Sequence, residues 1–255
     1  MLSIVSPSLI RRPYRYEETK GVMISQTEEA VRAGISCLIE NRRVLEKYVK
    51  ENPVFLHSFE PVRVEDGPRA AFLMAEAAET AGVGPMAAVA GVLADLAVEE
   101  MRRCNVEVAM VENGGEVAIS SIEPVDIALQ AGSAPLSKHM GFRIDRFPTG
   151  IATSSGVYSH AFSFGEAEAV TIFAREAGLA DAAATAVCNA VGGADTELAV
   201  ERGLERALEI EGVKGVFIIY RDMVGTGGRL PSIIGVKPTE EGEGKRCRAE
   251  GRNPV

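Results

Sequence analysis

Two polar side chains interrupt a run of alanines in the last third of the chain. Asp181 and Thr185 are four residues apart, so on a helix they share one face. A carboxylate and a hydroxyl among small side chains suit a hard cation such as Mg²⁺ that also holds substrate phosphates. Asp181 could instead cap a helix that begins at Ala182, an interaction worth about 1 kcal/mol. The spacing alone leaves both interpretations open.

A second segment, residues 82–91, combines glycine, alanine and a proline that suits the first position of a helix. A helix start without bulky side chains exposes its N–H groups, and the helix dipole there favours an anion such as pyrophosphate. Close packing of a helix against a neighbouring element requires the same small residues. The candidate ligand contacts in this segment are Gly84, Met86, Ala87, Ala90 and Gly91.

A third segment, Asn113-Gly114-Gly115 followed by Glu116, separates two apolar alternating runs. Asn-Gly is the strongest short signal for a β-hairpin, and a type I′ turn requires positive φ. We therefore expect positive φ at one or both glycines. The turn could be an ordinary hairpin, or its bare backbone could lie against a flat ligand.

The fourth segment carries three successive hydroxyl residues before a glycine, Thr153, Ser154, Ser155 and Gly156. Hydroxyls in this arrangement can bind phosphate oxygens or polar ring atoms, and they are also typical of a strand end and turn. His160 follows closely and is the candidate for a catalytic base. A Ser-His hydrolase is disfavoured because no G-x-S-x-G elbow is present.

The elements around these segments form a similar order twice: strands, then two or more helices, then a hairpin. We predict an α+β fold of two related halves, about 13–122 and 123–237, with antiparallel sheets and helices packed on one face. Residues 1–12 are expected to be flexible, and the glycine- and charge-rich residues 238–255 to form a disordered tail.

Composition excludes several classes of protein. The formal net charge is −9, and an acidic surface without a basic patch disfavours a nucleic-acid partner. None of the four cysteines forms a C-x-x-C pair, which favours a reducing compartment. Neither a signal peptide nor a membrane span is apparent in the pattern, so we expect a cytoplasmic protein with no membrane partner.

Taken in order, the four segments resemble the ApbE superfamily of FAD:protein FMN transferases, and most closely an uncharacterised ApbE-like family. The resemblance covers about residues 82–191. It implies a duplicated T-fold, with FAD or FMN between the halves and Mg²⁺ on the pyrophosphate. By resemblance, Asp181, Thr185 and a backbone carbonyl near Val89 bind the metal. The nucleotide contacts implied are those named above in segments 82–91, 113–115 and 153–156.

Two departures from the superfamily pattern bear on the reaction. Ala90 stands where the transferases usually carry a lysine, and no D-P-x-T-G motif occurs between Gly156 and Asp181. We therefore expect Mg²⁺-assisted binding of a small-molecule flavin or related nucleotide, with FMN transfer in doubt. The alternatives are a non-catalytic nucleotide sensor and a purely structural domain. A homo-oligomer that hides sheet edges is compatible with such a fold.

Overall fold

The computed structural model describes residues 9–128, 140–157 and 165–235. His160 and the expected tail 238–255 lie outside these ranges. The strands in the described ranges are β1 (Ile10–Tyr16), β2 (Thr19–Ser25), β3 (Ala109–Asn113), β4 (Glu116–Ser120), β5 (Val125–Ala128), β6 (Met140–Ile144), β7 (Thr149–Ser154), β8 (Ala169–Ala174), β9 (Gly215–Tyr220), β10 (Met223–Gly228) and β11 (Ser232–Gly235).

The helices are α1 (Glu28–Glu51), α2 (Pro53–His57), α3 (Arg69–Ala81), α4 (Val89–Arg102), α5 (Ala177–Ala190) and α6 (Thr196–Glu209), with a 3₁₀ turn at Pro85–Ala88 before α4. The two most amphipathic helices begin at polar caps. The Thr27 hydroxyl accepts a hydrogen bond from Ala30 N, and the Asp195 carboxylate accepts one from Leu198 N. These caps satisfy N–H groups that have no partner within the helix.

Eight strands form one antiparallel sheet in the order β1-β2-β3-β4-β7-β8-β9-β10. The first half of this sheet is β1-β2-β3-β4, with α1 to α4 inserted between β2 and β3. The second half repeats the plan as β7-β8-β9-β10, with α5 and α6 inserted between β8 and β9. The halves join where β4 pairs with β7, with Val117 opposite Ile151. The prediction of an α+β fold of two related halves is confirmed.

The two faces of the large sheet bury different layers. On β4, Ala118 packs with the helices, whereas Val117 and Ile119 point to the opposite face. A three-stranded sheet, β11-β6-β5, covers that opposite face. Its Phe142 ring lies 4.9 Å from the Phe173 ring, centroid to centroid. The sequence predicted helices on one face but not this second layer.

The structure corrects two expectations about the N-terminal strands. Residues 10–12, expected to be flexible, belong to β1 and pair with residues 23–25 of β2. The alternation of residues 14–25 around Lys20-Gly21 predicts the hairpin turn at those two residues. In the structure the turn lies at Glu17-Glu18, and Glu17 has a φ of 51°. Among the described residues, no single helix is long and apolar enough to cross a membrane, although α3 with residues 85–102 reaches that length as a pair bent by 104°.

Candidate functional site

The helices α4 and α5 cross with their backbones in contact. A Cβ added at Gly91 would overlap the carbonyl oxygen of Ala177, and one added at Gly178 would press on the Val92 side chain. Gly84 has a similar constraint, because a Cβ there would overlap the carbonyl oxygen of Ser58. The predicted contacts Gly84 and Gly91 thus have a packing role. The neighbouring Met86, Ala87, Val89 and Ala90 are half-buried.

Two aspartates link the crossing helices reciprocally. Asp181 Oδ2 of α5 accepts a hydrogen bond of 3.0 Å from Gly91 N in the first turn of α4. Asp95 of α4 accepts hydrogen bonds from Ala177 N at 2.9 Å and Gly178 N at 2.8 Å, in the first turn of α5. Each carboxylate satisfies N–H groups that the other helix leaves unpaired. Part of the anion-binding capacity of the α4 start is therefore used by the protein's own carboxylate.

This arrangement excludes the alternative in which Asp181 caps its own helix. The helix α5 begins at Ala177, not at Ala182, so Asp181 lies inside its own helix and caps α4 instead. Asp95 was not among the predicted site residues. A signal for it exists in the sequence, because Leu93-Ala94-Asp95 repeats as Leu179-Ala180-Asp181. The two tripeptides occupy corresponding positions at the crossing of the two halves.

The glycine hairpin reaches the same crossing through its first residue. Asn113 Nδ2 donates a hydrogen bond of 2.9 Å to the Ala90 carbonyl oxygen. The buried Tyr14 hydroxyl donates one of 3.0 Å to Asn113 Oδ1, which holds the amide in that orientation. Gly114 and Gly115 have φ values of 74° and 126°, so the expectation of positive φ in this turn is confirmed.

Acidic side chains concentrate beside the hairpin and the helix crossing. Burial, together with the charge of Glu112, raises the pKa of Glu116 to about 7. Burial, followed by the charge of Glu116, raises the pKa of Asp181 well above its usual range. Burial likewise raises the pKa of Asp95 to about 7, against the stabilising effect of its two backbone hydrogen bonds. A bound cation would offset this accumulation of negative charge.

The hydroxyl segment ends β7 beside the glycine turn. Because Val117 is opposite Ile151 in an antiparallel pair, Thr153 extends toward the level of Gly115. The Thr153 hydroxyl lies 2.9 Å from that of Thr171, on the face away from the helices, whereas Ser154 is buried on the helix face. Ser155 Oγ accepts a hydrogen bond from Val157 N, and Gly156 N donates to Ala167 O.

Helix α5 runs along β7 toward the same end. Its first residue, Ala177, lies against Gly150, and its Cys188 carbonyl lies against Gly165. Gly165 in turn lies against Gly156, just beyond the end of β7. The half-buried Thr185 lies between these two contact points along α5. Thr185 and the hydroxyl segment therefore lie toward the same end of β7.

Two of the cavities formed by the described residues border the helices, and neither of these two is lined by Asp181 or Thr185. One of about 360 Å³ is bordered by Asp95, Glu176 and Gly178, among other residues. The other, of about 640 Å³, lies between residues 61–64 and α3. Within the described ranges, no group of three or more His, Cys, Asp or Glu side chains is arranged to hold a metal ion.

The fold is that of the ApbE proteins. The flavin transferase ApbE from Vibrio cholerae superposes with a TM-score of 0.52 at 14% identity, over 86% of this chain and 97% of that chain. The ApbE protein from Thermotoga maritima gives a TM-score of 0.56 at 13% identity, again over 86% of this chain and 97% of that chain. At such low identity the likeness concerns the fold alone.

Sequence comparison defines the family. A family model described as AbpE bacteria matches residues 16–220. A UPF0280 protein of Methanocaldococcus jannaschii is 42% identical over 202 residues, which cover 77% of this chain and 82% of that protein. Another from Methanopyrus kandleri is 41% identical over 225 residues, or 87% and 91% of the two chains. The chain belongs to this ApbE-related UPF0280 family, which confirms the resemblance of the four segments.

Proposed function

We propose that this protein binds a flavin or a related nucleotide, with the help of Mg²⁺, at the junction of its two halves. The observation that supports this most is the meeting of segments far apart in the sequence. Asp181 is hydrogen-bonded to Gly91 and is influenced by the charge of Glu116. Asn113 is hydrogen-bonded to Ala90 at the same helix start.

The residues at this junction fit a magnesium ion by the chemistry of their oxygen atoms. The Asp181 carboxylate accepts hydrogen bonds from the backbone N–H groups of Gly91 and Ala90. Two carboxylate oxygens offer about four lone pairs, so acceptor capacity is left for a metal. Thr185 adds a hydroxyl one turn later, and Val89 adds a carbonyl oxygen at the start of α4. Mg²⁺ prefers such hard oxygen ligands and commonly completes its octahedron with water and substrate phosphates. When bound, it would neutralise pyrophosphate charge.

The hairpin and the end of β7 supply the remaining contacts of the proposed site. Gly114 and Gly115 are exposed, and nothing lies within 4 Å of a Cβ added at Gly115. A flat ring can therefore approach the Gly115 backbone without meeting side chains, whereas Glu116 Oε2 lies 3.4 Å from a Cβ added at Gly114. Ser155 and Gly156 lie at the adjoining strand end. The Ser155 hydroxyl is suited to a polar ligand atom, whereas the Gly156 N–H is already bonded to Ala167 O.

The position of Ala90 favours binding without FMN transfer. The ApbE transferases usually carry a lysine at this position, and a charge-assisted hydrogen bond contributes about 1.5–3 kcal/mol. Here the Ala90 side chain brings no charge, and its carbonyl oxygen is bonded by Asn113. We therefore propose a nucleotide-binding or sensing role ahead of a transferase role.

A thermal-shift panel of flavins and other nucleotides, with and without Mg²⁺, tests the binding site. A ligand at about one hundred times its dissociation constant adds about 2.7 kcal/mol to the free energy of unfolding. We expect Mg²⁺-dependent stabilisation by a flavin nucleotide that Asp181→Asn abolishes and that Asp66→Asn, a change at an exposed aspartate of similar type, preserves. Equal stabilisation of both variants would contradict the assigned metal site.

A second experiment separates binding from transfer. The protein is incubated with FAD, Mg²⁺ and an acceptor peptide of the flavin transferases, and the peptide is examined by mass spectrometry. We expect bound flavin and an unmodified peptide. Covalent FMN on the peptide, lost in Asp181→Asn, would restore the transferase assignment.

A further inference from the structure

The two edge strands of the large sheet differ in how they are protected. At one edge, β1 carries Pro13 and three arginines, Arg11, Arg12 and Arg15. Proline and charged side chains on an edge strand prevent pairing with another chain. At the other edge, β10 has the sequence Met-Val-Gly-Thr-Gly-Gly, with neither charge nor proline. Within the described ranges, β10 pairs on one side only, with β9.

The hydrogen-bonding groups that β10 directs outward can be assigned from its register. Met223 is opposite Tyr220 at the close of the β9–β10 hairpin, and Arg229 N donates a hydrogen bond of 2.6 Å to Lys214 O on the inner side. In an antiparallel pair, successive residues direct their backbone N–H and C=O groups alternately toward the paired strand and away from it. The N–H and C=O groups of Val224 and Thr226 therefore point outward, whereas Gly228, with a φ of 68°, is not extended.

Apolar side chains flank this edge on both faces of the sheet. Gly225 and Gly227 face α6, where added Cβ atoms would meet Val200 and Leu204. Leu208 of the same helix lies near Gly227 and is 57% exposed. On the opposite face, Val224 is 43% exposed. A chain that paired with β10 would thus also cover apolar surface above and below the sheet.

We propose that β10 pairs antiparallel with β10 of a second copy of this chain, about a two-fold axis at Thr226. Outward-pointing residues must face one another in such a pair. Thr226 then lies opposite the partner's Thr226. The eight-stranded sheets of the two copies become continuous across the axis, and each copy covers the other's Leu208 and Val224.

Charge complementarity supports a second copy as the occupant. In this register Arg229 lies opposite the partner's Met223. Met223 is the first residue of β10 and lies at the end of the strand beside the start of α6. The first turn of α6 carries the exposed Glu197, so the partner's Glu197 lies near Arg229, and the axis repeats the pair. A two-fold interface is self-complementary in this way because the same patch is used twice.

The mass of the full-length protein in solution, measured by light scattering, is the first test. We expect a dimer, and Thr226→Lys should weaken its association about fivefold or more, because like charges directly opposite in a sheet repel. Ser36→Lys adds the same charge to an exposed position on α1 and should leave association unchanged. A monomeric parent protein would overturn the proposal, as would a dimer that both variants leave equally intact.

Disulfide trapping tests the position of the axis. Opposed residues in an antiparallel pair have Cα atoms within disulfide range, so Thr226→Cys should give a covalent dimer on mild oxidation. Ser36→Cys should cross-link no more than the parent protein, which already has four cysteines. Failure of Thr226→Cys to exceed this background would contradict the register. None of these readouts depends on nucleotide binding, so the interface and the proposed function can fail separately.

Discussion

Replacing Asp95 by asparagine should remove a large part of the pH dependence of stability. The side chain keeps its shape and one oxygen acceptor for the first turn of α5, but it can no longer ionise. Burial raises the pKa of Asp95 from an ordinary 3.8 to about 7 in the folded protein. The folded state therefore holds this proton more tightly than the unfolded state does.

The sign and size of the effect follow from proton linkage. Asp95 contributes stability at acidic pH, and this contribution is lost as the pH rises through about 7. With the two pKa values above, a rise from about pH 5 to about pH 8 lowers the free energy of unfolding by about 2–3 kcal/mol. Asp95→Asn cannot ionise at this position. Its free energy of unfolding, relative to that of the parent, should therefore rise by about 2–3 kcal/mol between about pH 5 and about pH 8.

Denaturant unfolding across this pH range measures the difference directly. EDTA in every sample prevents metal binding at the neighbouring carboxylates from changing the result. Asp66→Asn serves as the control, because Asp66 is exposed on the loop before α3, and its curve should parallel that of the parent. Parallel curves for Asp95→Asn and the parent would refute the assignment of Asp95 as a buried, proton-holding cap of α5.

Three further substitutions test the local geometry by thermal or denaturant unfolding. Gly115→Val should lower the free energy of unfolding by about 1–3 kcal/mol, because φ is 126° at this position. Gly235→Ala, where an added Cβ also meets no atom within 4 Å, should leave it nearly unchanged. Gly91→Ala should destabilise by about 1–3 kcal/mol or more, because its Cβ overlaps an α5 carbonyl. Tyr14→Phe should cost about 1–3 kcal/mol through Asn113, which loses its buried donor. Unchanged stability in any of these three would contradict the corresponding contact.

The local elements of this protein could be predicted from the sequence. Apolar residues recur at helical spacing over residues 28–50, which predicts a helix there, and α1 spans Glu28–Glu51. The Asn-Gly-Gly turn predicted a hairpin with positive φ, and both glycines have it. Such features depend on neighbours a few residues apart, so helical periodicity and turn chemistry are sufficient to identify them.

The contacts of the candidate site were decided by the tertiary structure. Asp181 caps α4 through Gly91, ninety positions away in the chain, and Asp95 caps α5 from a comparable distance. A local pattern identifies the polar residue but not its distant partner. The sequence therefore offered Asp181 as a metal ligand or as a cap of its own helix, and it did not single out Asp95. The pairing of β4 with β7 joins the halves and sets the helix crossing that brings these partners together. The sequence by itself determined which residues could act, and the crossing of the two halves decided which of them meet.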